Sequence, residues 1–376
     1  MASLYIHVPF CRRKCPYCDF YSVAGYEQDL ADYPDLLNRQ LKQLYTRHGT
    51  HALESVFFGG GTPSLLPPRA VGKVLEAVDS VFPFARAAEI SLEANPGTVS
   101  AQSLCGYRSA GVNRISLGIQ SLQDAQLRQL GRLHNAADAV SSLRWARQAG
   151  FESISADLMF ALPGQGIQEL IADARRLAAE VDHLSCYGLS IEEETPFYHL
   201  HRSGGLELPS EDLYAEHFLA LDSTLADLGM RHYEISNYAL PGSECRHNLA
   251  YWRRSTCLGL GAGAHAFYDR GWGERRFVPP DLKRYRRRLT TGRPVEERLE
   301  TFDRRGAMCE TLYLGLRTAE GVSEEAFRTR FGCGLAEAFP EAAARNAGRL
   351  KLDSGRWRFS PPDWLLFDTL ILPFLG

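Results

Sequence analysis

The chain has 376 residues, of which 45% are hydrophobic and 23% charged, and a formal net charge of -3. This is globular composition, long enough for one large domain with smaller attachments. Interspersed charges give no electrostatic reason for a nucleic-acid or membrane partner, and no window nears the roughly 18 apolar residues of a transmembrane segment.

The start, Met1 to Val8, reads as a strand. It has no basic or apolar leader pattern, so the expected setting is cytoplasmic. A unit of strand, turn and helix then recurs. Ser55-Val56-Phe57-Phe58 precedes a Gly-rich turn and a helical stretch from Ala70 to Val78, and further strands are expected at Glu89–Leu92, Arg114–Ile119, Ser153–Met159 and His183–Tyr187. About six βα units make a parallel sheet, which periodicity alone leaves open between a doubly wound sheet and a closed or partial barrel. Past Leu228 the pattern gives way to Gly-rich and aromatic stretches, then to the basic run Lys283 to Arg288, which reads first as a solvated helix face. From about Asp303 a small α+β appendage is expected. It has helices around Met308, Leu312 and Leu316 and from Val322 to Phe331, a hairpin over Arg349 to Phe359, and a last helix over Trp364 to Ile371.

Nine cysteines, of which only three cluster, make a poor disulfide framework and point to reduced, metal-binding thiols. Cys11, Cys15 and Cys18 lie in the turn after the first strand, where one loop can aim all three at one site. Three thiolates leave one metal position open. A cubane cluster can offer its unique iron to a small molecule, while zinc wants a fourth ligand; on spacing alone, zinc and redox thiols stay open. Arg12, Arg13 and Lys14 help to keep the thiols ionised. Beyond them, polar residues close several apolar strands: the turn Gly59-Gly60-Gly61-Thr62, then Glu93, Gln120 and Asp157, with Arg132 in the loop after Gln120. Such a set is what a site at the C-terminal face of parallel strands needs. Glu93 suits ribose hydroxyls, and the glycines let a backbone approach a small zwitterion.

C-x-x-x-C-x-x-C with Tyr17 before the last cysteine, after a first strand and ahead of a βα array, resembles the radical S-adenosylmethionine superfamily. The likeness spans almost the whole chain and is strongest to the branch containing oxygen-independent coproporphyrinogen oxidases and haem chaperones. It implies a partial (β/α)6 barrel over residues 1–228, a Gly/aromatic extension over 229–300 and a helical/winged α+β domain over 301–376. It also implies a [4Fe-4S] cluster on Cys11, Cys15 and Cys18. S-adenosylmethionine is implied at Tyr5, Tyr17, Gly60, Gly61, Thr62, Glu93, Gln120, Arg132 and Asp157, with Arg132 pairing its carboxylate.

Within the branch, the oxidases carry a further cysteine two residues after the third and a segment before the first strand. This chain reads Cys18-Asp19-Phe20 and starts at the strand. Cys245-Arg246-His247-Asn248-Leu249-Ala250-Tyr251-Trp252 resembles the H-N-x-x-Y-W signature of the haem chaperones. That implies haem as a ligand, with His247 as its axial residue, Cys245 and His265 as alternatives, and an apo-haemoprotein as recipient. The alternatives are a radical oxidative decarboxylase of coproporphyrinogen III and a zinc- or cluster-stabilised protein without ligand chemistry.

Overall fold

The computed structural model describes residues 2–24 and 27–375. Met1, expected to open the first strand, lies outside them. Six parallel strands, β1 (Ala2–Val8), β2 (Leu53–Gly60), β3 (Phe84–Ala94), β4 (Arg114–Gln120), β5 (Ser153–Phe160) and β6 (His183–Gly188), pair in chain order. The connections carry α1 (Glu27–His48), α2 (Pro68–Val81), α3 (Ala101–Ser109), α4 (Asp124–Gln129), α5 (Ala136–Ala149) and α6 (Ile167–Ala178). A doubly wound sheet would reverse its strand order at a switch point, whereas here every new strand joins the same edge, which is the order of a barrel.

The second half of the chain lengthens this sheet rather than standing apart from it. After α7 (Pro196–Arg202) and α8 (Glu211–Asp227), β7 (Arg231–Glu234) and β8 (Asn237–Ala239) add antiparallel to β6. The helix α9 (Arg246–Trp252) follows. Then β9 (Cys257–Leu260) pairs parallel to β1, and β10 (His265–Tyr268), β11 (Glu274–Phe277) and β12 (Glu297–Thr301) continue from it. The twelve strands end on β12 and β7, which do not pair, so the barrel is partial.

Side-chain alternation sorts the two faces of the sheet. Leu4, Ile6, Val56, Phe58, Ile90, Leu92, Ile115, Leu117, Ile154 and Leu184 are buried in one apolar core. The intervening positions carry Ser3, Ser55, Glu89, Ser91, Glu93, Ser116, Ser155, Asp157 and His183 on the concave side. A parallel sheet covered on both faces would instead read as near-continuous hydrophobic runs.

The basic run lies on α10 (Leu282–Thr290). Arg284 and Arg288 pair with Glu297, and Arg286 with Asp29 at 2.7 Å and Asp32 at 3.1 Å, so these charges are engaged within the chain. In the C-terminal unit α11 (Arg304–Gly315) packs against the last helix, Phe367–Leu375, beside a three-stranded sheet of β13 (Val322–Ser323), β14 (Lys351–Asp353) and β15 (Arg356–Arg358). The helix expected from Val322 starts at Glu324, because Val322 pairs with Trp357 and the Ser323 hydroxyl caps the helix from Ala326 N–H. Glu310 of α11 is buried between Arg254 and Arg275, which ties the unit to the sheet. Glu310→Ala strands the buried Arg254 charge and should cost about 3–5 kcal/mol in urea denaturation.

Candidate functional site

The cysteine loop is closed by backbone bonds from Cys11 N–H to Val23 O (3.0 Å) and from Val23 N–H to Pro9 O (2.7 Å). His7, at the end of β1, fixes it from below. Its Nε2 lies 3.0 Å from the Tyr21 carbonyl and must donate there, so Nδ1 accepts from the Tyr5 hydroxyl at 3.0 Å. Burial lowers the His7 pKa, which favours this neutral form. From above, Arg12 donates to Gly97 O at 2.8 Å, and Arg13 donates to the Gly131 and Arg132 carbonyls. Basic side chains between the thiols thus pin the loop onto two other strand-to-helix connections.

The glycine turn after β2 lies against this loop. Gly60 has φ 109°, and a Cβ there would fall 2.5 Å from the His7 ring, so only glycine admits both. Gly60 N–H donates to Glu93 Oε2 at 3.2 Å. The Arg132 guanidinium donates to Asn95 Oδ1, to Gly118 O at 2.6 Å and to Cys15 Sγ at 3.6 Å. A Cβ on Gly118 would sit 3.2 Å from Arg132 Nη2, so glycine makes its bed. Asn95 Nδ2 donates to Thr62 Oγ1 at 3.1 Å, and that hydroxyl lies 3.5 Å from Cys11 Sγ. At the end of β4, Gln120 takes a left-handed φ of 74° beside a register shift against β5, and its Oε1 accepts from the Tyr187 hydroxyl at 2.7 Å. Strain of this kind persists only where the surroundings over-determine it.

These groups surround a cavity of about 180 Å³ at the C-terminal ends of the strands. Cys11, Cys15, Cys18, Tyr17, Gly60, Gly61, Thr62, Glu93, Gln120, Arg132 and Asp157 all line it. Among the described residues no three His, Cys, Asp or Glu side chains are gathered closely enough to hold a single metal ion. Two buried carboxylates face the same space. Burial, with Asp157 adding to it, raises Glu93 to about 8, and burial raises Asp157 to about 6 against the opposing pull of Arg132.

Two expected residues lie elsewhere. Tyr5 sits one layer beneath the cavity, its ring stacked on Phe57 and its hydroxyl on His7. His247 lies at the other end of the barrel. Its Nδ1 is 2.9 Å from Ser55 Oγ, its ring stacks on Phe57 at 5.1 Å, and it is buried. Glu89 accepts from the backbone N–H of Arg246 and His247, each at 3.1 Å, which holds the start of α9 as a floor to the barrel. Tyr251 is 47% exposed. Asn95 and Tyr187, which sequence reasoning missed, both line the cavity. Tyr187 closes β6 much as Gln120 closes β4, and that shared placement was its available signal.

The Radical SAM superfamily model matches residues 5–177 and the HemN C-terminal domain model residues 302–366, so the chain is a radical SAM protein with a HemN-type C-terminal domain. The chain is 36% identical to Heme chaperone HemW of Bacillus subtilis (strain 168), over 90% of this chain and 89% of the relative. It is 42% identical to Heme chaperone HemW of Escherichia coli (strain K12), over 70% of this chain and 69% of the relative. Coproporphyrinogen III oxidase (HemN) from Escherichia coli has a similar fold, with a TM-score of 0.84 at 21% identity over 99% of this chain and 89% of that one. Within the radical SAM proteins, the chain belongs to the HemW family.

The raised Glu93 pKa has a stability consequence. Between its ordinary value of 4.5 and about 8, the folded chain holds a proton that the unfolded chain has released, so this group lowers stability as pH rises through that window. Glu93→Gln should therefore raise the melting temperature of the ligand-free chain at pH 8 and leave it little changed at pH 4. A decline from pH 5 to pH 8 that is as steep in the variant as in the wild type counts against the buried, protonated carboxyl.

Proposed function

We propose that the chain is a haem chaperone of the radical SAM type, which holds a [4Fe-4S] cluster and S-adenosylmethionine in the barrel mouth, binds haem and passes it to an apo-haemoprotein. We infer a cytoplasmic setting; no helix among the described residues is long and apolar enough to cross a membrane. The observation that carries the reading is the joining in one cavity of three thiols, a glycine turn, a buried guanidinium and two buried carboxylates. Thiols spread around a cavity suit a cubane, in which each binds a different iron, better than a single ion. When bound, the cluster supplies an iron that can take the amino and carboxylate groups of S-adenosylmethionine. Arg132 offers charge to that carboxylate, the Gly60-Gly61-Thr62 turn approaches the amino group, and Glu93 accepts from ribose hydroxyls. Gln120, Asp157, Tyr17 and Tyr5 complete or support the pocket.

Anaerobic reconstitution with iron and sulfide tests this part. The triple change of Cys11, Cys15 and Cys18 to Ala should abolish the broad absorbance near ~400 nm expected of thiolate-ligated iron–sulfur centres. Arg132→Ala should weaken S-adenosylmethionine binding by about 1.5–3 kcal/mol, the range for a hydrogen bond to a charged group, as read by calorimetry. Full iron loading in the triple variant, or unchanged affinity in both Arg132→Ala and Asp157→Ala, defeats the site.

Haem, and its transfer, rest on the relatives, which bear the name haem chaperone. His247 reaches a haem iron only when α9 leaves the barrel floor, since its ring is enclosed by Ser55 and Phe57. Burial, with Glu89 adding to it, pushes the Cys245 thiol up to about 12, which disfavours the thiolate ligand. His265 alone of the three is exposed. With the floor closed, His265→Ala should change the Soret band of the haem complex while His247→Ala and Cys245→Ser do not. A change confined to His247→Ala means that the floor opens on binding. Transfer is read as gain of haem by a haem-free globin, and coproporphyrinogen III decarboxylation by the reconstituted chain is the result that overturns the chaperone reading.

A further inference from the structure

Arg132 can only donate hydrogen bonds, so the Asn95 amide atom that faces it must be the oxygen. The Asn95 Nδ2 is thereby turned to Thr62, 3.1 Å from Oγ1. Because that hydroxyl oxygen accepts from Asn95, its own proton is free to point at Cys11 Sγ, 3.5 Å away. At the other end of the chain of bonds, Arg132 Nη1 reaches Cys15 Sγ at 3.6 Å. The Asn95 main chain is itself held, its carbonyl accepting from Thr98 N–H at 2.8 Å and from the Thr98 hydroxyl at 2.7 Å.

We propose that Asn95 is a positioning residue of the cluster site, fixing the direction of a hydrogen-bond relay that supplies one donor to the Cys11 sulfur and one to the Cys15 sulfur. The proposal rests on the cluster reading above. Reduction adds a negative charge to an iron–sulfur centre, and donors to its thiolates favour the more negative state, so the relay raises the reduction potential. An aspartate in the same place would have two accepting oxygens. The Thr62 proton would then turn to the carboxylate and leave Cys11 without its donor, and the added charge would offset Arg132 beside Cys15. Both effects lower the potential while side-chain size is kept.

The test compares wild type, Asn95→Asp, Thr62→Val and Thr62→Ser after anaerobic reconstitution, with iron and sulfide measured first. A wild type that takes up neither iron nor sulfide defeats the cluster reading and the proposal with it. In loaded protein without S-adenosylmethionine, a dithionite titration followed by electron paramagnetic resonance reads the midpoint potential. Asn95→Asp and Thr62→Val should shift to more negative potential, and Thr62→Ser, which keeps the hydroxyl, should stay with the wild type. Should Asn95→Asp fail to load, the Thr62 pair decides: a shifted valine variant beside an unshifted serine variant supports the relay, and an unshifted valine variant overturns it. Wild-type potentials in loaded Asn95→Asp and Thr62→Val overturn it as well.

Discussion

A guanidinium buried beneath the barrel mouth without an ion-paired carboxylate is the constraint around which the site is arranged. Arg132 is held by two oxygens and a sulfur, and its Nε has no hydrogen-bond partner among the described residues. An uncompensated buried charge is expensive, and two features of the site reduce that cost. The Gly118 carbonyl and the Asn95 oxygen supply dipoles, and glycine at 118 makes the approach possible. The Cys15 sulfur and the Asp157 carboxyl lie close enough to interact with it electrostatically. Arg132 has no carboxylate in salt-bridge contact among the described residues, which suits a site for thiolates and a ligand carboxylate.

The parallel sheet makes such a site possible because its two faces are chemically unlike. Alternation sends Ile, Leu and Val outward to the helices and Ser, Glu, Asp and His inward, so the concave side is lined by groups that need partners. In the lower layer they partner one another: Ser55 bonds to Ser3 and His247, His183 lies between Ser155 and Tyr233, and Glu89 holds the start of α9. In the upper layer Glu93 accepts from Gly60 N–H and Asp157 from Ser116 and Ser185, yet burial raises the pKa of both. One sheet thus carries a floor whose polar groups bond to one another and a mouth whose polar groups line a cavity.

Much of this was legible from local pattern. The strands at Arg114–Ile119 and Ser153–Met159 announced themselves by β-branched and apolar runs, and the rule that polar residues close barrel strands found Glu93 and Gln120, whereas Asp157 lines the same cavity from inside β5, three residues before its end. The choice between a doubly wound sheet and a barrel was not legible, because strand order is a long-range property that periodicity does not encode. Asn95 was missed because Asn-Pro-Gly reads as a turn, and the partner that gives its amide a direction is Arg132, 37 positions away in the chain. The splitting of residues 229–300 between two sheet edges was equally hidden, since the short strands β7 to β12 carry little periodicity of their own.

In the H-N-x-x-Y-W segment the structure buries the imidazole of His247 and leaves Tyr251 47% exposed. Four positions apart, the two share one side of α9, yet the imidazole is enclosed by Ser55 and Phe57 and does not wall a ligand while α9 holds its place. The imidazole instead continues a column of rings: His247 against Phe57 at 5.1 Å, Phe57 against Tyr5 at 6.3 Å, Tyr5 against His7 at 5.9 Å, and His7 against Tyr21 at 6.2 Å. The upper end of that column is the cysteine loop, held through the His7–Tyr21 bond. Floor and mouth are therefore packed on the same side chains, and withdrawal of α9 would leave Phe57 and Tyr5 facing a void directly beneath the residues that anchor the cysteine loop. The loop's support and the exposure of His247 are thus physically opposed.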